Sequence, residues 1–311
     1  MFTYASSKGP RKPAYYRLGQ APPARHWYQK RVGWFGRSFA SLLVMSLLGA
    51  SAYGYVTLRG TKQSYAANSS QSSQLNTVKQ PLRSDQAADN IVNIQPILDE
   101  WVASHPGQKW GIVAKSLDGP TFEAKINPDR QFESASIYKL FLTLPLFLQI
   151  PVEQQGSVNV TVNGGQKSIA SCVDLMLRLS NNECGEAIGY FINWKKADEL
   201  LKRGGFNHTV FNQSDSLKTS PGDTATFLEI LNDDMFNRNA KEVIMRSLRE
   251  QRFRDGIPAG CPGCITANKT GQIDNVMHDA AIVQYKGGSY VLVIFSENGT
   301  FGQIAQLTGQ I

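Results

Sequence analysis

The chain has 311 residues, 41% of them hydrophobic and 18% charged, a composition that excludes wholesale disorder and a polytopic membrane protein. That length suits two ordinary domains, or one larger domain with a long tail. The formal net charge of +7 would suit a nucleic-acid partner, but residues 1–37 carry eight Lys/Arg and no acid, which leaves residues 38–311 at −1. The basicity belongs to the tail, and the rest has no electrostatic case for binding nucleic acid.

Residues 1–37 read as a basic cytoplasmic tail. Ser38 to Leu58 follows as 21 uncharged residues, just enough to span a bilayer core. With the nearby positive charge on its N-terminal side, the segment predicts an extracytoplasmic C-terminal domain. It reads as a signal anchor, or as a cleavable signal peptide because Ala50-Ser51-Ala52 resembles a processing site. Residues 59–90 read as a linker: Gly60–Asn90 is rich in Ser, Gln, Asn and Ala and too poor in large apolar residues to offset its ordering entropy. A flexible chain of that length reaches about 30 Å.

Globular patterning occupies residues 91–311, without internal repeats. A helix is expected over Ile91–Ser104, then a hairpin of Trp110–Ser116 and Thr121–Ile126 around Leu117-Asp118-Gly119-Pro120. Helices are expected over Ala135–Ile150, Ser171–Leu179, Glu183–Phe191, Lys195–Lys202, Pro221–Met235 and Lys241–Gln251. Gly204-Gly205 signals a helix stop, and Ser220-Pro221-Gly222-Asp223 a capped start. Strands return at Ile265–Lys269, Ala280–Tyr285 and Tyr290–Ser296, with a short helix at Gly302–Leu307. Strands at both ends of a helical block predict an α+β fold: one antiparallel sheet made from distant segments, with an inserted helical lobe and a site between the two.

Three short motifs sit at element boundaries. Ser136-Ile137-Tyr138-Lys139 opens a helix, and a separation of three brings the serine and lysine together on one face. Serine is a weak nucleophile that needs a base within reach, and a partly desolvated lysine can serve. Ser180-Asn181-Asn182 lies between two helices, where a hydroxyl can relay a proton and an amide can orient a carbonyl or the lysine. Lys269-Thr270-Gly271 ends a strand-like run and offers a cation and a hydroxyl to a carboxylate, with a glycine that permits close approach. Each motif alone reads as ordinary local structure; the ordered set is much harder to obtain by chance.

This ordered set resembles the signature of the class A β-lactamases and penicillin-binding proteins, over Ile91–Ile311. The resemblance implies the β-lactamase/transpeptidase-like fold and acyl transfer through a serine ester, on a β-lactam or a D-Ala-D-Ala-like peptide of the peptidoglycan stem. It implies Ser136 as nucleophile, Lys139 as its base, Ser180 as proton relay and Asn182 as substrate ligand. Lys269, Thr270 and Gly271 would form the carboxylate site, and the backbone N–H groups of Ser136 and Gln272 the oxyanion hole. A D,D-carboxypeptidase, or an inactive cell-wall-binding module that keeps the cleft, are the alternatives.

Two positions depart from the pattern. Asn181 stands where the family usually has Asp, in a role that mainly supports the loop. The glutamate that activates the deacylating water in class A β-lactamases has no counterpart. Glu186, Glu199, Glu229 and Glu250 fall in expected helices, and the loop Phe211–Ser220 offers only Asp215. Slow deacylation is therefore expected.

Four cysteines in an extracytoplasmic domain allow three connectivities, of which Cys172–Cys184 with Cys261–Cys264 is the simplest. The first pair flanks the Ser180 loop; the second reads as a local turn disulfide, since no second CxxC completes a zinc site. His278 and Asp279, between the third motif and the next strand, read as structural rather than as members of a triad with Ser136. No ligand spacing for a metal and no phosphate loop is present, so no metal and no cofactor are expected.

Overall fold

The computed structural model describes residues 92–211, 217–233 and 237–311. The tail, the apolar segment and the linker expected over residues 1–90 lie outside the described residues, as do Asp215 and the end of the helix expected to reach Met235. Among the described residues no helix is long and apolar enough to cross a membrane.

The described residues begin with α1 (Gln95–Ser104), β1 (Lys109–Asp118), β2 (Glu123–Ile126) and β3 (Phe132–Glu133). Then come α2 (Tyr138–Gln149), β4 (Asn159–Val162), β5 (Gly165–Ser168), α3 (Ile169–Arg178), α4 (Asn182–Ile192) and α5 (Trp194–Arg203). After β6 (Lys218–Thr219), α6 (Pro221–Asn232), α7 (Arg238–Arg249) and α8 (Ile257–Gly260), the chain closes with β7 (Ile265–Ile273), β8 (Val276–Tyr285), β9 (Gly288–Glu297) and α9 (Phe301–Gln310).

Five strands form one antiparallel sheet in the order β2-β1-β9-β8-β7, so the N-terminal hairpin joins the C-terminal strands. The apolar run of β9 explains this. Val291, Val293 and Phe295 face one core with α2, α3, α4, α6 and α7, while Leu292 and Ile294 face a second core with α1 and α9. The period of two places alternate residues on opposite faces, and here both faces are covered. The expected sheet from distant segments, with helices inserted between its halves, is present.

Several boundaries differ from expectation. Helix α1 starts at Gln95 rather than Ile91, because Pro96 belongs in a first turn, where its missing N–H costs nothing. Ala135–Ile137 form a 3₁₀ turn that feeds α2. The β4–β5 hairpin was not expected, although Asn163 (φ 50°) and Gly164 (φ 79°) take the left-handed conformations of a tight hairpin turn. Lys269-Thr270-Gly271 does not end a strand: β7 runs on to Ile273, since Gln272 and Ile273 pair with Met277 and Val276. His278 and Asp279 likewise lie within β8, not between strands.

Candidate active site

Ser136 sits in the 3₁₀ turn, one turn ahead of Lys139 in α2. Lys139 is fully buried, and its Nζ lies 3.0 Å from Ser136 Oγ. The same nitrogen lies 2.6 Å from the Ser180 carbonyl oxygen and 2.7 Å from Asn182 Oδ1. Both of those oxygens can only accept. Burial lowers the Lys139 ammonium to about 7, against the upward pull of Glu186 and Glu183 on α4. A neutral amine has two N–H groups, and these two acceptors occupy both. Its lone pair then remains for the Ser136 hydroxyl proton, the geometry of an activated serine.

The Ser180 turn is held by local chemistry. Asn181 caps α4, its Oδ1 accepting from the Cys184 N–H at 2.8 Å while its Nδ2 donates to Glu183. These two bonds are a loop-supporting role that Asn can fill. Ser180 itself has φ 56°, a conformation that a non-glycine residue adopts at a cost. Its Oγ lies 2.9 Å from Lys269 Nζ and 3.5 Å from Lys139 Nζ, so one hydroxyl bridges the two buried lysines. The Cys172–Cys184 disulfide ties α3 to α4 across this turn, and Cys261–Cys264 closes the turn between α8 and β7. Both pairings match the simplest connectivity.

On β7, Lys269 is fully buried and donates to the Thr270 carbonyl at 2.8 Å as well as to Ser180. Burial, reinforced by nearby Lys139, pushes its ammonium well below the ordinary range, with Asp279 opposing. Gly271 has a steric reason: a Cβ there would come within 3.1 Å of Ile137 Cγ1 and of the Ser134 carbonyl. A larger residue would push β7 away from the turn that carries Ser136 by a few tenths of an ångström. Ser136, Leu179, Ser180, Asn182, Thr270 and Gln272 then line one cleft of about 270 Å³, together with Phe253, Asp255 and Phe301.

The three motifs thus meet at one place, as their order in the sequence predicts. None of the six glutamates between Ser180 and Lys269 lines this cleft: Glu183 accepts from Asn181 Nδ2, Glu186, Glu199 and Glu242 are exposed on α4, α5 and α7, Glu229 pairs with Lys115 at 2.6 Å, and Glu250 caps the C-terminus of α7. His278 is buried, and burial lowers it to about 4, so the neutral ring donates from Nε2 to the Glu133 carbonyl at 2.9 Å and accepts the Ser296 N–H at Nδ1 at 3.2 Å. Its hydrogen bonds tie β8 to β3 and β9, the structural role expected of it. Sequence reasoning missed Phe253, Asp255 and Phe301. The first two lie in the irregular segment between α7 and α8, where no periodicity marks them.

Sheet, inserted helices and the serine–lysine pair together define the class of β-lactamase and penicillin-binding serine hydrolases. More narrowly, the chain belongs to the Beta-lactamase enzyme family, whose profile matches residues 93–311. Similar solved structures include PBP-A, determined as a variant in an acyl-enzyme complex with penicillin G (20% identity, 71% of this chain and 96% of that one, TM-score 0.62). Others are a β-lactamase from Sphaerobacter thermophilus (16%, 70% and 94%, TM-score 0.58) and the TLA-3 extended-spectrum β-lactamase (14%, 68% and 96%, TM-score 0.62). At these identities the likeness is one of fold. Comparison with curated protein sequences finds no match.

Proposed function

We propose that this protein is acylated at Ser136 by β-lactams or D-Ala-D-Ala-like peptides and releases the acyl group slowly, in the manner of a penicillin-binding protein. The observation that carries the reading is Lys139 Nζ at 3.0 Å from Ser136 Oγ, with both N–H groups of the neutral amine occupied by oxygens that only accept. Lys139 takes the hydroxyl proton as Oγ attacks the carbonyl carbon, and the carbonyl π electrons move onto oxygen. The backbone N–H groups of Ser136 and Gln272 receive that oxyanion. As the tetrahedral species collapses, the C–N bond breaks, and Ser180 Oγ, between the two lysines, gives its proton to the departing nitrogen and takes one from the Lys139 ammonium, which returns to the neutral amine. Lys269 and Thr270 hold the substrate carboxylate.

Slow release is supported by the placement of all six glutamates between Ser180 and Lys269 off the cleft wall, which leaves none of them beside the ester to activate water. The N-terminal residues would keep the domain outside the cytoplasmic membrane, as an anchor or as a cleaved signal. Intact mass spectrometry of the full chain with benzylpenicillin, beside Ser136→Ala, tests the reading. An adduct of the drug's mass that persists for minutes to hours and is missing from the variant is expected. Rapid turnover without an adduct would refute slow release, and neither adduct nor turnover would refute the acyl-enzyme.

A further inference from the structure

Asp255 is the one charged residue among the described residues that line the cleft. It is exposed, and among the described residues it forms no ion pair. Its neighbour Arg254 does not neutralise it, because the guanidinium is turned away to the Arg249 carbonyl, Asn268 Oδ1 and Thr266 Oγ1.

The segment is firmly placed. Asn268, on the same strand as Thr270, donates from Nδ2 to the Phe253 carbonyl and to Asp279 Oδ1, at 3.2 and 3.0 Å. Asp279 Oδ2 in turn accepts the Ile257 N–H at 2.8 Å. Both Asn268 and Asp279 are fully buried, so residues 253–257 are pinned at each end to the β7–β8 side of the cleft. Phe253 is 43% exposed although it is a large aromatic residue on a cleft wall, and Phe301 contributes a second ring. An unpaired carboxylate beside one exposed and one half-buried aromatic ring suits an organic cation, which gains from both the charge and the rings.

We infer that Asp255 and Phe253 form a subsite for an organic cation carried on the nitrogen side of the scissile amide. The side follows from Thr270 and Gln272 sharing this wall, and the inference rests on the acyl-enzyme reading, in which Thr270 holds the carboxylate on that side of the amide. An anion entering next to Asp255 is repelled unless the same part of the molecule carries a compensating positive charge. The preferred substrate is therefore zwitterionic there, a carboxylate with an ammonium or pyridinium nearby.

Two cephalosporins with the same thienylacetyl side chain, one pyridiniomethyl and the other acetoxymethyl at C3, isolate this feature. Their second-order acylation constants are measured on the full chain and on Asp255→Asn. The preference for the pyridinium compound is expected to fall about two- to fivefold in the variant, the range of a solvated ion pair, and to fall in the wild type at high salt. An unchanged ratio, or equal slowing with both compounds, would overturn the assignment. So would an unchanged ratio with slower adduct release in the variant, which would make Asp255 a hydrolytic base. Absence of any Ser136-dependent adduct with either compound on the wild type would instead remove the acyl-enzyme reading, and this subsite with it.

Discussion

On the helical wall of the cleft, Lys139 Nζ has four polar atoms within 3.5 Å and no exposed surface. On the strand wall, Asp255 is exposed and without an ion pair among the described residues. The helical wall is a closed network: each N–H has one acceptor, so the remaining lone pair has one direction. Such a network fixes proton positions at the cost of burying amines, and half-breaking it is expensive. The rim is solvated, so changing it costs little stability and alters only which substrate is welcomed. In the proposed reading the nucleophile and its base belong to the helical wall, while Asp255 on the strand wall bears on which substrate is accepted.

Lys139→Met gives the largest expected effect, because it keeps the apolar stem in its buried slot and removes the base. Acylation by benzylpenicillin should fall about 10²- to 10⁴-fold, followed by adduct formation against time. The same assignment fixes a pH profile. With Lys139 lowered to about 7, the active neutral amine is lost as pH falls. Acylation should therefore rise through pH 7 and level off above it. A profile flat between pH 6 and 9 would separate the base from Lys139.

The disulfides extend the comparison to stability. Replacing Cys172 and Cys184 by alanine opens a link between residues 12 apart, worth about 3 kcal/mol in the chain-entropy account. Removing Cys261–Cys264, with a separation of 3, should cost about 2 kcal/mol. Urea denaturation of the two double variants measures the order, and equal losses would show that loop length does not govern it. Smaller still, Thr270→Val should weaken acylation by carboxylate-bearing substrates about tenfold, the value of one hydrogen bond to a charged group. A matched carboxylate ester should lose much less; equal loss would remove Thr270 from the carboxylate site.

The serine–lysine pair was legible in the sequence because its spacing and its helical start state the same geometry twice. The strands around Val291–Phe295 were legible because both faces of that sheet are buried, which writes a continuous apolar run. The full length of β7 was not, since polar Gln272 has the same look in a strand as in a loop. The β4–β5 hairpin carries its turn in Asn163-Gly164 and a strand signal in the alternation Val158-Asn159-Val160-Thr161-Val162; only β5, polar apart from its glycine, lacks one. Asp255 illustrates the limit more generally. It reaches the cleft through Asn268 and Asp279, residues 13 and 24 positions further on, and only the fold makes them neighbours.

The pairing of β1 with β9 has a consequence for how the molecule comes into being. Positions hydrogen-bonded across it, from Lys109 with Glu297 to Asp118 with Ser289, are separated by 188 to 171 residues of chain. Contacts so distant along the chain are slow to form, because the entropy of closing the loop is lost before any pairing is gained. The helical segments between them can collapse earlier from local contacts, carrying Ser136, Lys139 and Ser180. The wall with Lys269 and Thr270 is only an edge hairpin until β9 slots between β1 and β8. The assembled cleft is therefore expected to be among the last features this chain acquires during folding, and a ribosome-bound fragment that ends before residue 288 would hold Ser136 without a cleft.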